Sequence, residues 1–180
     1  MNTYTPEDYK SGEGMLTTVW GPSLWHFLHI MSFNYPNEPT NEQKRHYMNF
    51  ILSLEHILPC KYCRINLKKN FKVVPLRISN MKNRYTFSKY IYDLHEHINK
   101  MLNKKSGLTY DSVKERYEHF RARCNIKEKP VKRKEKGCTE PLYGKKSKCI
   151  IKIVPQTKKC NTFQMDDSCK KKRLKTAKII

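Results

Sequence analysis

Between residues 20 and 124 the apolar positions recur at steps of three and four, the spacing of one face of an α-helix. Leu24, Phe27, Leu28 and Met31 follow Pro22, which suits a first helical position, and Tyr35-Pro36 closes that segment. Thr40 and Gln43 have the spacing of a capping box, in which each side chain satisfies the other residue's exposed amide. The stripe Tyr47, Phe50, Ile51, Leu54, Ile57 and Leu58 predicts a second helix behind it. A third, shorter helix is expected after Pro59, from Cys60 to about Asn70, and residues 71–85, with Pro75, read as a loop. Phe87, Ile91, Leu94, Ile98, Met101 and Leu102 mark a fourth helix, stopped near Gly107, and Tyr110, Val113, Tyr117 and Phe120 mark a fifth. No strand-type alternation of useful length occurs, so the expected fold is all-α, a bundle of about five helices.

Charge divides the chain. Of 37 Lys and Arg and 16 Asp and Glu, 19 and 11 fall in residues 1–125, leaving 18 and 5 after them, so the net charge is +8 before the division and +13 beyond it. Of 20 aromatic residues only Tyr143 and Phe163 lie in the second part, too few to offset the entropy of ordering it. Residues 125–180 are therefore expected to be a disordered basic tail, residues 20–124 the folded domain and residues 1–19 a flexible lead-in. The lysine clusters of the tail suit either a polyanion such as nucleic acid, through phosphate neutralisation, or simple solubility. No apolar run reaches the ~20 residues of a membrane span. The acidic start, with Glu7, Asp8 and Glu13, has neither the hydrophobic stretch of a signal peptide nor the Arg-rich pattern of a mitochondrial presequence, which predicts an unexported chain.

Seven cysteines occur, at 60, 63, 124, 138, 149, 160 and 169, and an odd count forbids a fully paired monomer. Only Cys60 and Cys63 form a C-x-x-C. Their place after Leu58-Pro59 puts them at a helix N-terminus, where the dipole and free amides favour thiolate over thiol. Zinc held by His56, Cys60 and Cys63 is one alternative, although nothing completes a tetrahedral set, and no metal is expected. A thioredoxin lacks its βαβ context here, and a purely structural disulfide would close too small a loop to stabilise much. A dithiol that cycles needs an electron acceptor, which ordinary side chains do not supply, so a bound cofactor is expected. His26 and His29 lie one turn apart on the first helix and His95 on the fourth; as buried, satisfied residues or as cofactor contacts, they fit either reading.

Trp25-x-x-x-His29 followed by Tyr35-Pro36, then Pro59-Cys60-Lys61-Tyr62-Cys63, then His95-Glu96-His97-Ile98-Asn99 with Leu102 and Lys104, resembles in order and spacing the Erv/ALR family of FAD-linked sulfhydryl oxidases, over residues 20–124. The short chain without a thioredoxin domain is most similar to members encoded by large cytoplasmic DNA viruses. The resemblance implies a helical bundle that encloses FAD, usually as a homodimer. Cys60 would exchange with a substrate dithiol and Cys63 would pass electrons to the flavin, with dioxygen reduced to hydrogen peroxide. Gly21, Trp25, His29, Tyr35, His95, Ile98, Asn99, Leu102, Lys104 and Tyr117 would contact the cofactor. The setting it implies is the host cytoplasm or the virion, with disulfides formed in virion proteins. A basic nucleic-acid-binding or structural virion protein with a non-catalytic helical domain is the alternative.

The chain departs from the family pattern at several positions. Glu96 stands where the motif has its first Asn, and Tyr90 replaces a Trp. Tyr92 and Tyr110 occupy the two positions where many relatives carry a structural disulfide, and a tyrosine pair packed across the junction is the expected replacement. Cys124 matches a cysteine used between subunits in some relatives, or is an ordinary free thiol. The tail cysteines contain no C-x-x-C that would make a second redox pair.

Overall fold

A computed structural model of the chain describes residues 3–12, 14–123 and 137–172. Among them are six α-helices: α1 (Pro6–Tyr9), α2 (Thr17–Phe33), α3 (Asn41–Ile57), α4 (Lys61–Val73), α5 (Arg84–Met101) and α6 (Tyr110–Glu118). The residues divide into two compact units, 1–110 and 111–180. The first contains the helical core. In it α2 packs along α5, and α3 packs along α4.

Capping chemistry sets where most helices begin. The Thr40 hydroxyl accepts from the Gln43 amide at 3.2 Å and the Gln43 side chain accepts from the Thr40 amide at 2.9 Å, the reciprocal pair that the sequence predicts. Asn83 and Thr86 form the same box at the start of α5. Helix α2 differs from expectation by starting at Thr17, a turn and a half before Pro22. Proline usually disfavours a helical residue before it because its ring meets that residue's Cβ, and here that residue is Gly21, which has none. Helix α5 likewise ends at Met101 rather than near Gly107. Asn103 takes a left-handed φ of 54°, its amide donates to the Lys100 carbonyl at 3.1 Å, and the Lys104 amide donates to the Asn99 carbonyl at 2.8 Å. That is a Schellman motif with Asn in the place usually held by Gly.

Tyr35, Ile51, Met81, Phe87 and Ile91 are fully buried at the centre of the core. Met81 comes from a 3-10 turn, Ile78–Met81, inside the segment expected to be a loop. The Tyr35 hydroxyl donates to the Met81 carbonyl at 3.0 Å, and the Arg84 Nε donates to the Tyr35 carbonyl at 2.7 Å, tying the exit of α2 to the start of α5. Five positions of the predicted stripes face outward instead: Phe27, Phe50, Ile57, Met101 and Leu102 are exposed, and Phe27 meets Phe50 edge-on at 6.1 Å. They flank the buried stripe, where helical periodicity alone does not separate core from rim.

The tyrosine pair is present. The rings of Tyr92 and Tyr110 meet edge-to-face at 5.8 Å, the Tyr92 hydroxyl donates to the Leu108 carbonyl at 2.7 Å, and the Tyr110 and Ser88 hydroxyls bond at 2.8 Å. Tyr85 adds a second edge contact to Tyr110 at 5.7 Å. The helix junction is thus closed by rings and hydroxyls.

In the second unit, β1 (Ala122–Arg123) pairs antiparallel with β2 (Glu140–Pro141), and a 3-10 turn covers Asp167–Cys169. Both tail aromatics are engaged with cations: the Arg116 guanidinium lies 4.6 Å from the Phe163 ring centre and the Lys171 ammonium 4.7 Å from that of Tyr143. Of the segment expected to be disordered, residues 125–136 and 173–180 lie outside the described residues, as does Cys124. Cys138 is disulfide-bonded, whereas Cys149, Cys160 and Cys169 are free thiols.

Tyr92→Phe removes the bond to Leu108 and is expected to cost about 1 kcal/mol of stability. Tyr110→Ala removes the ring contacts as well and is expected to cost about 2 kcal/mol or more. Thermal unfolding of the two variants checks the order; equal melting temperatures for both and for the parent would mean the pair holds nothing.

Candidate active site

Cys60 and Cys63 are joined as a disulfide, with their Cα atoms 5.2 Å apart. The geometry comes from a corner. Leu58, preceding Pro59, has the extended ψ of 135° that a proline imposes on its neighbour, and α3 ends there. Cys60 then caps α4, its sulfur accepting from the Cys63 amide at 3.2 Å. The Arg64 guanidinium, one turn along α4, donates back to the Leu58 carbonyl and braces the corner. The two sulfurs that the alternative zinc set would use are bonded to each other.

The two sulfurs differ in surroundings. Cys63 packs against the hydrophobic core, and the Thr17 hydroxyl, in the first turn of α2, stands 3.5 Å from its sulfur. A disulfide sulfur carries no hydrogen, so the hydroxyl donates. Cys60 instead meets the segment before α2: Gly14 and Cys60 form an antiparallel bridge, and the Met15 amide donates to the Pro59 carbonyl at 2.8 Å. Neither Thr17 nor the Gly14–Met15 contact carries a motif that sequence reading would have flagged.

Two turns along α2 a ring cluster begins. Trp25 stacks on His95 of α5 with ring centres 3.9 Å apart and planes within 4°. His29, buried, places its Nε2 at 3.0 Å from His95 Nδ1. One of these nitrogens donates and the other accepts, so the tautomers of the two rings are linked. Burial pushes the His95 pKa down to about 4, with Glu96 opposing and Lys104 adding to the shift. His95 is neutral at pH 7.

Of the remaining sequence-predicted residues, Ile98 packs on the core, Leu102 caps α5 and is exposed, and Asn99 donates its side-chain amide to Glu96 at 3.0 Å. The Schellman motif sets Lys104 directly beyond Asn99. Lys104, Lys100 and Lys105 line an open cavity of about 650 Å³ whose one acidic residue is Glu96. Gly21 lies within α2, next to Pro22. Tyr35 is a core residue, set against Tyr47 and Phe87 with its hydroxyl on Met81. Tyr117 belongs to the second unit, where it meets Phe120 edge-on at 5.9 Å and burial pushes its pKa up to about 12. The first unit thus offers flat rings and an amide along α2 and α5 and, at the end of α5, a lysine-lined cavity, groups whose chemistry fits a flavin ring and a pyrophosphate.

A sequence model of the Erv1/Alr family matches residues 22–118. The chain is 35% identical over 99 residues to the probable FAD-linked sulfhydryl oxidase of Acanthamoeba polyphaga mimivirus, covering 55% of this chain and 68% of that protein. It is 29% identical over 99 residues to the FAD-linked sulfhydryl oxidase of African swine fever virus, covering 55% of this chain and 80% of that one. Among solved structures, the FAD-binding domain of Erv1 from Saccharomyces cerevisiae superposes with a TM-score of 0.52 at 25% identity, over 57% of this chain and 94% of that domain.

The buried His95 predicts a pH dependence. Its pKa is lower in the folded chain than in the unfolded one, where the ordinary value is 6.5, so the unfolded state binds the proton first. The stabilisation is complete above pH 6.5 and is lost as pH falls toward about 4, with a slope of about 1.4 kcal/mol per pH unit at most. His26, shifted the same way by burial, adds to the loss. His95→Phe, which keeps the stack on Trp25, is expected to flatten the decline of melting temperature between pH 6.5 and 4; an unchanged slope would show that His95 does not carry it.

Proposed function

The chain belongs to the Erv1/Alr family, and on that footing we propose that it is an FAD-linked sulfhydryl oxidase that forms disulfides in dithiol protein substrates. The observation that carries this reading is the Cys60–Cys63 disulfide at the head of α4, with Cys63 against the core and the Thr17 hydroxyl of α2 and Cys60 bridged to the segment before α2. A substrate thiolate attacks the Cys60 sulfur, and Cys63 leaves as a thiolate. The Thr17 hydroxyl, the Cys63 amide and the N-terminal end of α4 favour negative charge there. The second substrate thiolate then attacks the substrate sulfur of the mixed disulfide, which releases Cys60 as a thiolate and the product as a disulfide. The substrate's two electrons now reside on the Cys60/Cys63 dithiol.

Bound FAD supplies a two-electron acceptor that dioxygen reoxidises, yielding hydrogen peroxide. The residues proposed to hold it are Gly21, Trp25, His29 and Tyr35 from α2 and its exit, His95, Ile98, Asn99, Leu102 and Lys104 from α5 and its cap, and Tyr117 from α6. In this set the stacked Trp25 and His95 present a flat face, neutral His95 offers an uncharged ring, and the lysines at the end of α5 and beyond it meet phosphate. Glu96, which accepts from Asn99, fixes that amide's orientation in place of the family's asparagine.

Self-association is part of the proposal. Phe27 and Ile30 on α2 and Phe50 on α3 are exposed apolar side chains, and the first and last touch each other, which suits an isologous dimer face. Among the described residues no helix is long and apolar enough to cross a membrane. Viral relatives support the host cytoplasm or the virion as the setting, and the exposed Lys145, Lys146 and Lys148 support contact with a polyanion such as nucleic acid.

Cys63→Ser is expected to purify yellow, with flavin retained, and to lose dithiothreitol oxidation by about a thousandfold or more in an oxygen-electrode assay. Wild-type turnover in that variant would exclude Cys63 from electron transfer. Phe27→Glu is expected to shift the protein from dimer to monomer in sedimentation equilibrium, because the charge would be buried in the interface without a partner; an unchanged dimer would place the interface elsewhere.

A further inference from the structure

The segment before α2 is held against the disulfide by close backbone contact. Gly14 has φ of 120°, and a Cβ on it would stand 2.9 Å from the Pro59 oxygen and 3.2 Å from Cys60 Cα, so this backbone approach is open only to glycine. The Met15 amide bonds to Pro59 and the Met15 carbonyl accepts from the Trp20 indole at 3.1 Å. The strap is thus fastened through its backbone, and the side chains it carries stay in solvent.

Those side chains are large and apolar. Met15 and Leu16 are 72% and 69% exposed. Ile57, the last residue of α3, and Tyr62, between the two cysteines, are 63% and 75% exposed. Leu16 also occupies the N-cap of α2, where it makes no side-chain bond and where Ser, Thr, Asp or Asn would stabilise the helix. Three chain segments that converge on Cys60 therefore each present an apolar residue to water, and one does so at the expense of a helix cap.

Resting on the thiol-oxidase reading, we propose that Met15, Leu16, Ile57 and Tyr62 form a docking surface for an extended polypeptide segment whose cysteine is flanked by apolar residues. The occupant follows from the reaction. The substrate stays covalently attached to Cys60 until its second thiol arrives, so the residues beside its cysteine must lie on whatever surrounds that sulfur. Apolar flanks gain by leaving water there, and charged or small flanks gain nothing. A chain that has not finished folding exposes such flanks, so the preferred substrate class is incompletely folded protein rather than small dithiols.

The test uses the full-length flavin-loaded protein with three substrates: dithiothreitol, a peptide with a cysteine pair flanked by Leu and Ile, and the same peptide flanked by Ser and Gln. The wild type is expected to favour the apolar-flanked peptide in KM. The double variant Leu16→Ser/Ile57→Ser places a good capping side chain at the start of α2, so the helix is not weakened by the change. In it KM for the apolar-flanked peptide is expected to rise about tenfold, with kcat, the flavin spectrum and dithiothreitol turnover held within about twofold. Oxidation of all three substrates with no preference between the peptides, or an equal loss on all three in the variant, would overturn the docking surface and leave the oxidase standing. Failure of the wild type to oxidise any of them would remove both together.

Discussion

One sulfur serves two structures in this protein. Cys60 accepts the amide bond that opens α4 and also forms half of the disulfide, so the helix start and the redox couple share an atom. The corner around it is over-determined. Pro59 stops α3 at Leu58, Arg64 reaches back to the Leu58 carbonyl, and the strap at Gly14 and Met15 closes over the Pro59–Cys60 peptide. With the corner held, reduction of the disulfide can leave the backbone in place. A thiolate then finds amide dipoles already aimed at it, where a flexible loop would first have to reorganise.

The other half of the site depends on the way α2 lies along α5. That packing brings Trp25 and His29 to His95, and Asn99 and Lys104 follow at the end of α5 and its cap. Burial keeps His95 neutral, Glu96 beside it supplies the negative charge, and Lys100, Lys104 and Lys105 at the end of α5 and beyond it supply the positive. Polarity thus rises from the stacked rings between the helices to a lysine-rich rim that holds Glu96. It matches a cofactor with a flat ring at one end and phosphates further along.

Helical periodicity, the Thr40 capping box and the C-x-x-C were legible because each is a local pattern with a single physical reading. Pro22 misled because its usual meaning, a helix start, assumes a side chain before it, and Gly21 has none. The end of α5 was missed because Asn103, not glycine, adopts the left-handed turn. Phe27 and Phe50 sit at the edge of their stripes, where periodicity cannot tell a core residue from one at its exposed rim. The site was legible only in part for a related reason. Cys60, Cys63, Trp25, His29 and His95 are residue types with few alternative uses, whereas Thr17 and Gly14 matter only through contacts 46 residues away along the chain.

The positions where the chain breaks local rules are therefore informative together. Leu16 at a cap, Gly14 at positive φ, Pro22 within a helix and Glu96 in place of an amide all fall on α2, its lead-in or α5, the elements that carry the site. The junction between α5 and α6 shows the contrasting case. There Tyr92, Tyr110 and Ser88 close the junction, and every hydroxyl of the three has a partner. A structural demand leaves a complete set of contacts, since folding rewards each one. A demand from chemistry leaves groups that folding does not reward, and around Cys60 those groups are apolar and face the solvent from which a substrate arrives.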